Sequence, residues 1–192
     1  MLKKISVSVV SVFLVGGLAY AAPDRTGKTD IGFNASAGIM QDSNVAAYFG
    51  GNMSYGINNW SAVGFSVGYE NFGSNLGIGD LSAVPLMFDM YVRSQNADQA
   101  YVPYAILGLG AVLWDFKESG LTAGSTVNVD TSFGVKLGGG VDWFVNDHWA
   151  INFEGSYTFA DANVTVKNSA GSVTATGNAD FWNLGGGLKY LF

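Results

Sequence analysis

The 192-residue chain contains no cysteine, a single histidine and only 12% charged residues. The lack of cysteine excludes disulfide bonds, thiolate metal sites and a cysteine nucleophile. Lysine and arginine number 9 against 15 aspartate and glutamate residues, which is too few for the basic surface of a nucleic-acid-binding protein. Beyond the amino-terminal region, the sequence also has no run of about eighteen apolar residues that could form a membrane helix.

The amino-terminal region has the three parts of a secretory signal peptide. Two lysines open it, residues 5–18 are almost wholly apolar, and Ala19-Tyr20-Ala21 forms an A-x-A cleavage signature. A membrane anchor is the alternative, but the apolar run is short for a span. We therefore predict a signal peptide at 1–21 and a periplasmic leader at 22–29. The mature chain then keeps seven basic residues against fifteen acidic ones.

The mature chain is rich in alternating segments. In each of them apolar side chains alternate with polar or small ones, which is the two-residue period of a β-strand with two different faces. Glycine, with 27 residues, often occupies the polar or small positions. In the clearest example the apolar row is Val63, Phe65, Val67 and Tyr69, and the polar or small row is Gly64, Ser66, Gly68 and Glu70.

Eight such segments divide the mature chain, and the last one ends on an aromatic residue. Their predicted bounds are Asp30–Met40, Ala46–Tyr55, Ala62–Phe72, Leu81–Arg93, Val102–Phe116, Thr131–Val145, Trp149–Phe159 and Asp180–Phe192. The fifth segment is apolar on both faces, so which face points outward stays open. One face carries Leu107, Leu109 and Leu113, and the other carries Tyr104, Ile106 and Val112. In the fourth segment, Pro85 cannot donate a backbone hydrogen bond and should lie near the strand start or at a bulge.

An even number of strands lets a barrel close with both termini at one rim, and a closed barrel satisfies every backbone polar group in lipid. We therefore predict an all-β fold, an eight-stranded antiparallel transmembrane β-barrel over 30–192. The last strand should pair with Asp30–Met40 and seal the barrel. A soluble barrel of the lipocalin type, with its apolar faces turned inward, is the competing fold.

Connection lengths and aromatic positions distinguish two rims. Links after the third, fifth and seventh strands are long and polar, at Asn71–Asp80, Lys117–Asp130 and Ala160–Ala179, whereas most of the others are short. Long outer loops and short periplasmic turns are typical of outer-membrane barrels. Aromatic residues predict a girdle at each interface. The short-turn girdle comprises Tyr55, Trp60, Tyr91, Trp143, Trp149, Tyr190 and Phe192, and the long-loop girdle Tyr69, Phe72, Trp114, Phe133, Tyr157, Phe159 and Trp182.

With these features the chain resembles the small eight-stranded outer-membrane barrels of bacteria, which include the OmpA transmembrane, OmpX and OmpW types. Gly187, Tyr190 and Phe192 match the carboxy-terminal signal that the barrel assembly machinery reads in that superfamily, although Gly185 stands where a polar residue is usual. Three further features are similar to the OmpW group: Pro103-Tyr104 opening a glycine-containing strand, F-G-V-K-L-G-G-G-V-D-W-F-V-N-D at 133–147, and W-x-L-G-x-G-x-x-Y-x-F at 182–192.

This resemblance implies the outer membrane of a Gram-negative bacterium as the location of the protein. Outer-membrane lipids and lipopolysaccharide would then surround the barrel, and the barrel assembly machinery would insert it. We expect a monomer that binds no nucleic acid.

Charged residues on the predicted inner faces are the candidate functional residues. They are Glu70, Asp89, Arg93, Lys136, Asp142, Glu154 and Lys189, while Asp115 has no assigned side. Eight strands enclose roughly the space that their own side chains fill. Buried charges are tolerated only when they pair, so we expect a packed polar network. A gated pore or a proton path is the alternative.

The sequence offers little for catalysis. Some barrels of similar size modify lipid A with a histidine- or serine-based site near the outer rim, but the only histidine, His148, lies in a predicted periplasmic turn. A lone histidine cannot hold a metal without carboxylate partners. We predict a non-enzymatic protein without metal or cofactor. Resemblance to the OmpW group favours passive passage of small, mostly hydrophobic molecules. The rival hypothesis is a surface protein whose long loops act in adhesion, host interaction or envelope stability.

Overall fold

The computed structural model describes residues 21–40, 44–73, 79–94, 100–118, 126–168 and 171–192. Almost all of the predicted signal peptide lies outside these ranges. The strands are β1 (Thr29–Met40), β2 (Ala46–Gly56), β3 (Ser61–Gly73), β4 (Gly79–Arg93), β5 (Tyr101–Glu118), β6 (Thr126–Val129), β7 (Ser132–Phe144), β8 (Trp149–Asn168), β9 (Gly171–Asn178) and β10 (Phe181–Leu191). Within the described ranges, no helix has the length and apolar character needed to cross a membrane.

Eight of these strands form a closed antiparallel barrel. The sheet runs in the order β10, β1, β2, β3, β4, β5, β7 and β8, and β8 pairs in turn with β10. The seam between the first and last strands extends from Asp30 opposite Leu191 to Met40 opposite Phe181. The predicted eight-stranded fold and the predicted closing pair are therefore confirmed. Because the barrel is closed, its wall has no free strand edge.

The outer face of the barrel carries the apolar rows. Phe65 is 61% exposed and Leu184 is 70% exposed, while the polar residues of the same strands turn inward. A soluble barrel would show the reverse arrangement, with charges outside and apolar side chains inside. The outer surface thus suits lipid, and the lipocalin-type alternative is excluded.

Pairing with the neighbouring strands decides the phase of β5. Gly108 lies opposite Asp89 of β4 and opposite Lys136 of β7. Residues directly opposite one another in a sheet point to the same side, so Gly108 faces inward with these two charges. Tyr104, Ile106 and Val112 therefore lie inside, and the leucines at 107, 109 and 113 lie outside.

A small sheet rises above the barrel where polar loops were expected. β8 continues to Asn168 instead of ending at Phe159, and β6 and β9 pair with its extension on either side. We call the three strands over 126–129, 161–168 and 171–178 the outer sheet. The loop interpretation was wrong for these residues, because alternating valine and threonine make a good strand even in a polar segment.

Pro85 lies within β4 at an interruption of the β3–β4 ladder. The register joins Val67 to Leu86 and resumes unchanged at Glu70 opposite Ala83. The four residues between, which we call the wall gap, are Gly68, Tyr69, Val84 and Pro85. Because the register does not shift, Pro85 occupies neither a strand start nor a bulge, contrary to the prediction. Proline has no amide proton to donate across this seam.

Candidate functional site

The barrel lumen is organised in three tiers along its axis. The lowest tier, beside the short turns, the start of β1 and the end of β10, consists of ion pairs. The middle tier is polar and contains a small cavity, and the uppermost tier, beneath the outer sheet, is apolar. All seven charged residues that were expected on the inner face lie inside the barrel: six are buried, and Glu154 lines the cavity and bonds to Tyr104.

Asp142 is the centre of the lowest tier. Its carboxylate is fully buried and accepts hydrogen bonds from Nη1 of Arg25 and Nζ of Lys189, both at 2.8 Å, and from Nδ2 of Asn152 at 2.9 Å. Lys189 also stacks over the ring of Tyr104, with its Nζ 4.4 Å from the centroid. Two cations and an amide therefore surround one carboxylate that has no contact with solvent.

Asp30 extends this tier across the barrel. Its Oδ2 lies 2.6 Å from Nη2 of Arg25 and 3.1 Å from Nη2 of Arg93, and Arg93 also donates to Oγ of Ser54 at 2.9 Å. We call Arg25, Asp30, Arg93, Asp142 and Lys189 the ion-pair cluster. Sequence reasoning missed two of the five. Asp30 shares the inward phase of β1 and could have been found, whereas Arg25 precedes the first strand and carries no periodic signal.

The leader folds across the periplasmic mouth and brings Arg25 into the lumen. Ala22 packs against an apolar cluster at this end that includes Phe144 and Leu191. Gly27 has φ +71°, a left-handed conformation that favours glycine, and its amide donates to the carbonyl of Gly56 at 2.8 Å. A side chain at Gly56 would overlap the carbonyl of Arg25. The described part of the leader thus covers the ion-pair cluster.

The middle tier contains one ion pair and two carboxylates without a cationic partner. Nζ of Lys136 lies 2.8 Å from Oδ2 of Asp89, and Ser66 bonds to both residues. Tyr104 donates to Glu154 at 2.9 Å, and Asn183 donates to Glu70 at 3.2 Å. Within the described ranges no lysine or arginine pairs with either glutamate. The expectation that every lumen charge is paired is therefore wrong for Glu70 and Glu154, whose partners are neutral donors.

A cavity of about 30 Å³ lies in this tier. Its lining includes the polar side chains of Tyr48, Glu154 and Lys136 and the apolar side chains of Met87 and Phe181. The ring of Tyr48 lies flat against the inner wall, where a Cβ on either of two neighbouring glycines, Gly50 and Gly68, would overlap it. Glycine at these positions allows a large aromatic ring to share the lumen with open space.

The upper tier is an apolar cluster that narrows the outer mouth. Trp114 and Phe181 meet edge to face with their ring centroids 6.2 Å apart, and Phe72 lies 5.7 Å from Phe181. Trp114 is held in place by a hydrogen bond from its Nε1 to Oγ of Ser132 at 2.8 Å. The other buried members are Ala46, Ala83, Met87, Val112, Ala160, Ala162 and Ala179. Three packed aromatic rings thus face any solute that arrives from outside.

This arrangement corrects three assignments to the aromatic girdles. Trp114, Phe72 and Tyr91 point into the lumen and are buried. The remaining predicted girdle residues lie on the outer face, either exposed or half-buried: Tyr55, Trp60, Tyr69, Phe133, Trp143, Trp149, Tyr157, Phe159, Trp182, Tyr190 and Phe192. A tryptophan near a strand end is compatible with a membrane interface and with a constriction of the lumen. Only the phase of its strand, which points the side chain outward or inward, decides between these two positions.

The carboxy-terminal residues form an aromatic group at the periplasmic rim. The ring of Tyr190 lies 4.9 Å from that of Trp149 and 4.8 Å from that of Phe192, and it stacks on His148 at 5.6 Å. His148 is exposed in the turn after β7. Gly187 lies in β10 opposite Asn34. The described part of the chain contains no group of three His, Asp or Glu side chains that could hold a metal ion.

The apolar tier continues upward onto the outer sheet. Residues 160 and 162 of β8 face inward, and the next residues of the same row are Val164 and Val166. The strand pairings set Val129 opposite Val164, and both Val127 and Val173 opposite Val166, so these five valines share one face. We call them the apolar wall. Val129 packs on the apolar cluster below, and Val173 is 72% exposed.

Asp180 fixes the base of the outer sheet. The amide of Ala160 donates to its Oδ1 at 2.9 Å, and the hydroxyl of Tyr157 donates to its Oδ2 at 2.8 Å. Partial burial by itself raises the pKa of Asp180, but these two bonds and one from the side chain of Asn178 outweigh it and hold the pKa below its ordinary value. The charged carboxylate thus ties β8 to the start of β10.

Comparison with known sequences relates the chain to outer-membrane proteins. No family model matches it. Outer membrane protein W of Vibrio cholerae is 26% identical over 140 residues, which are 68% of this chain and 64% of that protein. An uncharacterized outer-membrane protein of Sinorhizobium fredii, y4mB, is 27% identical over 94 residues, which are 48% of this chain and 41% of that protein. The chain thus matches less than two thirds of the length of either relative.

Comparison with solved structures identifies the same fold. OprG from Pseudomonas aeruginosa aligns with a TM-score of 0.72 at 17% identity, covering 88% of this chain and 98% of that one. AlkL, determined by solid-state NMR in DMPC bilayers, aligns with a TM-score of 0.67 at 19% identity, covering 91% and 94%. The chain thus has the fold of these outer-membrane β-barrels, as the sequence predicted, and it is similar in sequence to outer membrane protein W.

Proposed function

We propose that this OmpW-like barrel of the outer membrane lets small, mostly hydrophobic molecules pass through passively, without catalysis. The observation that carries the proposal is the run of apolar side chains from the apolar wall, through Val129, to the cluster of Phe72, Trp114 and Phe181. Burial of apolar area is worth about 25 cal/mol per Å². A hydrophobic molecule would therefore gather at the outer mouth, while a polar one would gain nothing there.

The ion-pair cluster argues against a straight path into the periplasm. Its five charged side chains are almost fully buried, and the leader covers them. A hydrophobic solute would have to separate these pairs without replacing their contacts, which is costly in a buried setting. The lower end of the lumen therefore works as a seal in this proposal.

The wall gap offers the solute a sideways exit. Pro85 lines both the cavity in the middle tier and the interruption of the β3–β4 ladder. On the outer face, a groove of about 610 Å³ adjoins the wall gap, and the apolar residues of its lining include Val67 and Leu86, which flank the gap, and Phe88. A solute that leaves here moves from an apolar mouth into lipid and avoids the charges. Absence of ladder hydrogen bonds lowers the cost of separating the strands at this place.

Uptake by vesicles tests the proposal. Proteoliposomes with lipopolysaccharide in the outer leaflet should take up 1-hexanol several-fold faster than protein-free vesicles, because the barrel bypasses the carbohydrate layer. The variant Val166→Asp places a charge on the apolar wall and should reduce uptake severalfold. Thr165→Asp puts the same charge on the opposite face of the outer sheet and serves as the matched control. Uptake equal to that of protein-free vesicles would overturn the proposed function.

A surface-binding role is the second candidate, and the outer sheet is the observation that favours it. β9 is exposed along its whole length and contains neither a charge nor proline. Among the described strands it pairs only with β8. Such an unprotected edge can accept a strand from another protein.

An adhesion measurement tests this second candidate. A lysine on an edge strand blocks strand addition, so Thr174→Lys should abolish adhesion of expressing bacteria to host cells while leaving 1-hexanol uptake unchanged. The control is Ser82→Lys, which adds the same charge away from β9. Equal adhesion by both variants would count against binding through this edge.

Two further proposals concern partners. The apolar outer face supports contact with outer-membrane lipids and lipopolysaccharide by a monomeric barrel. Gly187, Tyr190 and Phe192 support recognition by the barrel assembly machinery.

The absence of catalysis is part of the proposed passage function, and the position of His148 at the rim opposite the outer mouth supports it.

A further inference from the structure

Charge is distributed unevenly along the lumen. In the ion-pair cluster, three cations face the two carboxylates of Asp30 and Asp142. In the middle tier the balance is reversed, because Lys136 is accompanied by three carboxylates, those of Asp89, Glu70 and Glu154. Of the two charged tiers, the one nearer the outer mouth is thus the one with an excess of acidic groups. It attracts positive charge from outside and repels negative charge.

The cavity in the middle tier has the features that hold an ammonium group. Glu154 lines it, and the Glu154 carboxylate has only the hydroxyl of Tyr104 as its described hydrogen-bond donor. The ring of Tyr48 lines the same cavity, and aromatic faces attract cations. Oδ1 of Asn34, also on the cavity wall, is buried and has no hydrogen-bond partner among the described atoms. A carboxylate, a ring and a spare acceptor together suit a small cationic donor.

The apolar part of the cavity lining continues toward the outer mouth. Met87 and Phe181 belong both to the cavity lining and to the apolar cluster above it. A molecule with a charged head and an apolar tail could therefore place its head against Glu154 and its tail between these side chains. The volume of about 30 Å³ accommodates roughly two water molecules. It therefore suits a primary ammonium group better than a trimethylated one.

We propose that the middle tier binds the protonated amino group of small amphiphilic amines, so that the barrel prefers alkylammonium ions to alcohols or carboxylates of the same length. The inference rests on the proposed passage function and names its preferred class of solute. Glu154 supplies the counter-charge and the upper tier binds the tail. A carboxylate head is disfavoured because it would meet the charge of Glu154, while the one described cation in the cavity lining, Lys136, is already paired with Asp89.

Three six-carbon solutes separate the contributions of head and tail. At neutral pH the wild-type barrel should take up hexylamine fastest, 1-hexanol more slowly and hexanoate slowest, each after subtraction of uptake by protein-free vesicles. The variant Glu154→Gln keeps the shape of the side chain and its bond with Tyr104 but removes the charge. It should lose the preference for hexylamine over 1-hexanol. The matched control is Asp147→Asn, in an exposed turn, which should keep that preference.

Binding provides a readout that does not depend on passage. Calorimetric titration of the detergent-solubilised barrel with methylammonium chloride should show binding that weakens about tenfold in Glu154→Gln, as expected for loss of one charge-assisted contact. Tetramethylammonium should bind more weakly than methylammonium. Equal binding by wild type and Glu154→Gln would overturn the inference, and so would equal uptake of hexylamine and 1-hexanol. Failure of the passage function alone would abolish 1-hexanol uptake and leave methylammonium binding intact.

Discussion

Replacement of Asp142 by asparagine is expected to lower the free energy of unfolding of the barrel by about 3–5 kcal/mol, the usual cost of removing one partner from a buried ion pair. Its carboxylate is fully buried between Arg25 and Lys189, with each nitrogen at 2.8 Å. Asparagine keeps the size of the side chain but not its charge. Three cations would then share the single carboxylate of Asp30 in a place that water does not reach.

Urea unfolding in lipid vesicles, followed by tryptophan fluorescence, measures this effect. Asp147→Asn is the control, because this substitution makes the same chemical change in an exposed turn of the same rim. Its effect should remain within about 0.5 kcal/mol, as for most surface substitutions. A loss below about 1 kcal/mol for Asp142→Asn would mean that the ion-pair cluster contributes no more than a pair on the surface.

A disulfide across the wall gap is expected to stop most of the uptake of hydrophobic solutes. Because the chain has no cysteine, the double variant Tyr69→Cys/Val84→Cys carries only the introduced pair. Both residues belong to the wall gap. They lie opposite each other, one in β3 and one in β4, when the register on either side is continued through the gap. Once oxidised, the bond fixes the two strands at a sulfur separation of about 2 Å. Initial uptake of 1-hexanol should fall at least about tenfold, which corresponds to about 1.4 kcal/mol of added barrier, and should recover after reduction.

The ladder itself provides the control for this experiment. Phe65 and Phe88 are paired in the same two strands, where the ladder is continuous, and both face outward. A disulfide in Phe65→Cys/Phe88→Cys should therefore leave uptake unchanged. If the oxidised gap variant takes up 1-hexanol as fast as its reduced form, the solute does not leave through the wall gap.

Much of the fold could be predicted because its signal is local. Alternation with a two-residue period is visible within each strand, and it assigned inward or outward facing correctly in seven of the eight barrel strands. β5 was left open because both of its faces are apolar. The register of β5 against Asp89 and Lys136 decides which face points inward. The register between two strands, however, cannot be predicted from the sequence of either strand alone.

The candidate site was less predictable than the fold. The inward position of the seven charged residues followed from strand phase, but their partners did not. Arg25 lies outside any periodic segment, and its partner Asp142 is 117 residues away in the sequence. Trp114 was assigned to the wrong environment because an indole ring suits both an interface and an apolar constriction. The outer sheet was missed because its polar composition was taken for a loop.

The sequence by itself determined that this chain forms a barrel of eight strands with an apolar outer face, since alternation and the apolar outer rows depend only on neighbouring residues. The tertiary structure alone decided how the lumen is divided into an ion-pair cluster, an acidic middle and an apolar mouth. It also decided that Pro85 interrupts the wall beside the cavity. The physical reason is that closure brings distant strands together, so contacts across the lumen depend on the register of all eight strands at once.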